Sequence, residues 1–203
     1  MKIHPLLLLV IGGALSFALI NPASPEAARR PFLSAPLPAA RIIVDKQARE
    51  LYLYSGESLV RTYPVKLGLN PVDDKERQGD RRTPEGFFYV CLKNPHSRFH
   101  LSLGLSYPNL EDAERGLKNK LITQAQYDTI ARKIAQGHIP PWDTALGGEI
   151  FIHGKAEAWD WTYGCVALTD RDIEELFRVV PVGTRVEIRK DSRLVQAANG
   201  PPP

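Results

Sequence analysis

The chain is poor in the residues that build covalent or metal frameworks, with two cysteines and five histidines in 203 residues. Two cysteines exclude a disulfide scaffold and a four-cysteine zinc site, and leave either one bridge or two thiols with separate roles. Charge of one sign is also scarce. Lys and Arg number 26 against 23 Asp and Glu, a net +3 with no dominant basic cluster, which gives no support for a dedicated nucleic-acid binder. Long apolar runs are absent beyond Ile20, and no internal repeat is visible. The remaining composition, 43% hydrophobic and 24% charged, is that of a globular chain long enough for one domain with a sizeable core. Proline breaks this sparseness, with 17 residues.

Lys2 precedes an apolar run from Leu6 to Ile20, interrupted by Gly12, Gly13 and Ser16. Fifteen residues are short for a membrane span and suit a secretory signal. Neither Ala23 nor Ala28 ends a clean small-x-small motif, so residues 1–23 read as a signal peptide or an uncleaved signal anchor. Either way the domain is expected to be exported, and membrane contact to come only through that segment. Pro22, Pro25, Pro31, Pro36 and Pro38 crowd residues 21–40, of which 24–40 read as a semi-rigid linker. Residues 193–203 read as a disordered tail, which leaves 41–192 as the folded domain.

That body is β-rich. Residues 41–45 and 50–54 form an expected hairpin, and 59–67, 86–92, 99–105, 149–153, 165–168 and 185–189 read as further strands. On the strand over 86–92, Phe87, Tyr89 and Cys91 alternate and are taken as a core face. Residues 70–84 are polar and turn-rich, hence a loop. From Asn109 to Gly137 the apolar spacing turns helical, with a capping box at Thr123-Gln-Ala-Gln126. Another helix follows Thr169. The sequence predicts a curled mixed or antiparallel sheet with a helical insertion, which is either a lid or a packed ornament.

Chemistry is expected between His153 and Cys165. His153-Gly154 ends an apolar strand, and Thr162-Tyr163-Gly164-Cys165 precedes another. A thiol becomes an effective nucleophile beside a base, and histidine is suited to that role. Glycine next to the cysteine permits a tight backbone whose N–H groups face a developing oxyanion. Each residue alone also has a structural reading: a satisfied histidine at a strand end, and a small buried cysteine.

The stretches Ile152-His153-Gly154 and Thr162-Tyr-Gly-Cys-Val-Ala-Leu168 resemble the signature of the L,D-transpeptidase (YkuD) catalytic domain. Further matches are Arg41–Tyr54, Gly79–Phe87, Phe99–Asn109, Gly147-Gly148 and Val182–Val186, so the resemblance covers about 41 to 190. It implies a mainly β fold, a curled mixed sheet or sandwich with a helical insertion and a helix after the catalytic cysteine. It also implies peptidoglycan stem peptides as partners, with a tetrapeptide donor and an amine or wall-linked protein as acceptor. Cys165 is then the nucleophile that forms a thioester, and His153 its base. The Gly154 carbonyl orients the imidazole, and the backbone of Tyr163, Gly164 and Cys165 forms the oxyanion hole. No metal or cofactor is needed, and the compartment is the periplasm, with or without a tether to the inner membrane.

The chain also departs from the family pattern. Ala167 stands where many members have arginine, which leaves recognition of the donor's terminal carboxylate unassigned; Arg81, Arg82 and Lys155 are candidates. Asp160-Trp161-Thr162 resembles a Gram-negative branch in which hydrolysis, including release of wall-attached protein, stands beside cross-linking. Trp159, Trp161 and His100 are candidate substrate contacts, with core packing or structural hydrogen bonding as their alternatives. A non-catalytic wall-binding module is a competing reading. So is a metal site from His96, His100, His138, His153 and Cys165, which the strand-or-loop pattern around Pro95 argues against.

Overall fold

The hairpin that opens the domain forms because apolar residues alternate on two short strands separated by a polar turn. In a computed structural model that describes residues 30–33 and 36–191, these are β1 (Ala40–Asp45) and β2 (Glu50–Ser55). β3 (Ser58–Pro64), β4 (Gly86–Ser97) and β5 (His100–Leu105) follow, then α1 (Leu110–Lys118) and α2 (Gln124–Ala135). β6 (Phe151–His153), β7 (Val166–Ala167), α3 (Asp170–Val179) and β8 (Arg185–Arg189) complete the domain. The strands join in the order β3-β2-β1-β8-β4-β5-β6-β7. β1–β8 and β6–β7 are parallel, and the other neighbours antiparallel, so the sheet is mixed as expected.

Ile42, Val44, Leu51 and Leu53 face Phe88, Val90, Leu103, Leu105 and the Ile173, Leu176 and Val179 stripe of α3 in one core. Burying such side chains contributes roughly 1.5–3 kcal/mol each. Glu175 on α3 is buried among them and accepts from Tyr63 Oη at 2.8 Å and from the Leu33 N–H at 2.7 Å. Both insertion helices carry capping boxes, Asn109 with Asp112 and Thr123 with Gln126. They enclose a second small core of Ala113, Ile122, Ile130 and Leu146. Leu146 ties that core to the segment before β6, where its carbonyl accepts from Tyr107 Oη at 3.0 Å.

Two expectations change. The linker does not run to residue 40: Leu33 and Leu37 pack against the core, and the Leu37 N–H donates to Val179 O at 2.9 Å. On β4 the core face is the opposite one. Phe88 and Val90 are buried, while Phe87 is 62% exposed and Cys91 half-buried. Both faces of this strand are apolar, so alternation alone does not choose between them. The expected signal segment, the start of the linker and the tail lie outside the described residues.

Candidate active site

β6 and β7 lie side by side in parallel register, Ile152 beside Val166 and His153 beside Ala167. Side chains alternate across a strand, so Ile152 and Val166 point into the core while His153 and Cys165 share the other face. The register thus brings together two residues 12 apart in sequence. Both line a cleft of about 730 Å³, with Phe99, Ser102, Trp142, Phe151, Trp161 and Tyr163 among its walls.

His153 is 1% exposed and fixed on every side. Phe99 stacks on its ring at 4.5 Å, and Trp161 meets it edge-on at 5.8 Å. Its Nδ1 lies 2.7 Å from the Gly154 carbonyl oxygen. A carbonyl only accepts, so Nδ1 carries the proton and Nε2 keeps its lone pair. Burial holds the imidazole below its ordinary pKa, the hydrogen bond to Gly154 opposes this, and the Arg98 charge adds to the lowering. The residue is a neutral base. Gly154 donates to Phe99 O and Leu101 O at 3.1 and 3.3 Å, and a Cβ there would lie 2.7 Å from Asp170 Oδ1.

The Cys165 thiol is free and half-buried. Sγ accepts from the Phe151 N–H at 3.4 Å and donates toward Glu149 O at 3.6 Å. Among the described residues, no hydrogen bond joins it to His153. Burial pushes the thiol up to about 11; the Phe151 N–H, Lys75 and Arg98 pull it down, and Glu149 pushes it further up. Both shifts favour the uncharged thiol and the uncharged imidazole as the resting pair.

The loop before the cysteine is held by Asp160 and Thr162. Asp160 Oδ2 accepts from Arg49 Nε and a terminal guanidinium nitrogen at 2.9 and 2.8 Å, and Oδ1 from the Leu67 N–H at 2.8 Å. Thr162 Oγ1 donates to Cys165 O at 2.7 Å and accepts from the Gly164 N–H at 3.1 Å. Gly164 stands at φ +126°, with Arg82 O only 2.6 Å from where a Cβ would be, so any side chain there is strained and crowded. The Gly164 N–H is thereby turned to Thr162, not to the cleft. Among the described residues, the Tyr163 and Cys165 N–H groups have no protein acceptor, and they are the ones left for an oxyanion.

Other expected residues are separated by the fold. Trp161 lines the cleft; Trp159 does not and is 65% exposed. His100 Nε2 lies 2.8 Å from Glu174 Oε1 on α3, so it ties β5 to that helix, and it is not among the residues that line the cleft. Arg82 is bound to Asp74 O at 3.2 Å and lies 3.6 and 3.5 Å from Asp73 and Glu76. Lys155 Nζ donates to Arg98 O, and Arg81 stacks 5.3 Å above the Tyr163 ring. Among the described residues, no three His, Cys, Asp or Glu side chains form a group that could hold a metal ion. Phe99, Ser102 and Thr162 lie in motifs visible in the sequence, but their packing and anchoring roles are not visible there, and the tie from Arg49 to Asp160 leaves no sequence signal.

A free thiol, an imidazole with a fixed tautomer and backbone N–H groups without a protein acceptor are the parts from which a cysteine–histidine nucleophilic site is built. The chain belongs to the L,D-transpeptidase catalytic domain (YkuD) family, whose model matches residues 39–188. A protein of Escherichia coli K12 named "Putative L,D-transpeptidase YafK" is 25% identical over 144 residues, which make up 69% of this chain and 46% of that protein. Among solved structures, the helical cell shape determining protein Pgp2 of Campylobacter jejuni superposes with a TM-score of 0.51 at 23% identity, covering 76% of this chain and 48% of that one. Bd1075 of Bdellovibrio bacteriovorus gives 0.50 at 19% identity, covering 79% and 52%. These two likenesses establish the fold, a mainly β mixed sheet with few helices. The chain spans about half the length of each relative.

Proposed function

We propose that the protein is an exported, periplasmic L,D-transpeptidase that remodels or cross-links peptidoglycan through a thioester on Cys165. The observation that carries this reading is the Nδ1–Gly154 hydrogen bond, which leaves Nε2 of His153 basic on the face that holds Cys165. Nε2 takes the thiol proton as Sγ attacks the carbonyl of the L-centre, and the Tyr163 and Cys165 N–H groups receive the oxyanion. When the intermediate collapses, the C–N bond breaks and the proton passes from Nε2 to the departing amine of the D-residue. A second amine then attacks the thioester, gives its proton to Nε2, and Sγ leaves and regains a proton.

The test is a defined disaccharide-tetrapeptide incubated with the full chain, with and without an acceptor stem, and read by product mass. A product enlarged by a second stem or an exchanged residue is expected. A product merely lighter by D-Ala assigns hydrolysis instead, and no product in either arm removes the assignment.

A further inference from the structure

Ala167 is fully buried beside His153, so the position where many members have arginine cannot reach substrate here. The cleft has three charged lining residues, Lys75, Arg98 and Glu149. Lys75 is spent: it is buried against Asp80 at 2.7 Å and also donates to Arg77 O. Arg98 and Glu149 have no ion-pair partner among the described residues.

These two charges lie toward opposite ends of β6. Glu149 precedes the strand, and its carbonyl accepts from the thiol. It stands at φ +55°, after Gly148, where an added Cβ would overlap the Trp142 side chain. Arg98 lies at the other end, in the β4–β5 turn, where Phe99 O accepts from the Gly154 N–H just past His153. Its guanidinium carbon is 4.8 Å from the centre of the Phe99 ring, the same ring that stacks on His153. Lys155 Nζ holds the Arg98 carbonyl at 2.8 Å. The cleft thus has an unpaired cation on the histidine side and an unpaired carboxylate residue at the Glu149 end, while the Lys75 charge is also felt at the thiol.

The chemistry orients a substrate in this field. His153 must protonate the departing amine, so the leaving residue lies on the histidine side of Cys165. If that residue ends the chain, its carboxylate is two bonds beyond its nitrogen and lies close to His153. We propose that Arg98 binds the terminal carboxylate of the leaving D-residue, the role that Ala167 leaves unassigned. Guanidinium matches carboxylate in a bidentate fork, and its stacking on Phe99 pre-orders it. Glu149 repels the same carboxylate from the opposite end. The Arg98 charge is felt at both His153 and Cys165, consistent with its place beside them.

This assignment rests on the transpeptidase reading, and two measurements keep the failures apart. Binding is measured by calorimetry on full-chain Cys165→Ala with a stem tetrapeptide and with its C-terminal carboxamide. The carboxylate is expected to bind at least about tenfold more tightly, and Arg98→Gln in that background to bind both alike. Arg98→Lys restores part of the preference. Turnover on the intact enzyme follows the same pattern in kcat/KM. Equal binding of the two peptides, or a preference that survives Arg98→Gln, overturns the role of Arg98. Discrimination in binding without any turnover by the intact enzyme keeps Arg98 as the carboxylate site and overturns the transpeptidase reading.

Discussion

The two cysteines sit in similar local settings and have opposite prospects. Cys91 on β4 donates to Gly104 O at 3.3 Å, and burial pushes its thiol up to about 11. Cys165 leans on the backbone of β6 and is pushed to about the same value, also by burial. Thiol acidity therefore does not distinguish them. The neighbours do: Cys165 shares a sheet face and a cleft with an imidazole of fixed tautomer, and Cys91 is not among the residues lining that cleft. In the proposed mechanism a buried thiol becomes a nucleophile through a place to send its proton, not through a lowered pKa.

The sharpest contrast comes from removing each thiol. Cys165→Ala is expected to lower kcat/KM by at least about a thousandfold with folding intact, whereas Cys91→Ala stays within about twofold. Comparable losses in both, measured on the same muropeptide, would break the distinction. Next in size is the support that only Cys165 has. Thr162→Val strands the Gly164 N–H and the Cys165 carbonyl, at a cost of about 2 kcal/mol in denaturant unfolding and a drop in kcat/KM. An unchanged midpoint would show that the hydroxyl does not hold the loop.

The smallest effect is a displaced pH limb. Burial holds His153 below its ordinary 6.5, so it is protonated, and lost as a base, only at lower pH. The acid limb of kcat/KM should then fall below 6.5, and the thiol, near 11, should set no alkaline limb in the neutral range. An acid limb above the ordinary histidine value would contradict the neutral resting pair.

Much of this was legible beforehand because it depends on local pattern. The hairpin before Ser55, the Thr123 capping box and the helix after Thr169 follow from periodicity and caps. The strand pattern left His153 and Cys165 with structural alternatives, and the resemblance to the YkuD signature is what singled them out. The face of β4 was misread because Phe87 to Leu92 has no polar side to mark solvent. Substrate contact and structural hydrogen bonding both stayed open for His100 because its partner, Glu174, is distant in sequence and close only once α3 packs. Arg98 carried no signal at all: its meaning comes from which of the cleft's charges are already paired, a property of the folded chain alone. The Gly164 N–H was placed in the oxyanion hole because nothing in Thr-Tyr-Gly-Cys reveals that the threonine hydroxyl takes it first.

The most direct measurement is intact-protein mass after rapid mixing with a stem tetrapeptide, followed by peptide mapping. A covalent adduct equal to the tetrapeptide less its terminal D-residue, carried on Cys165 and absent from Cys91, is predicted. An adduct on another residue, or sustained turnover with Cys165 unmodified and dispensable, would contradict a thioester at this site.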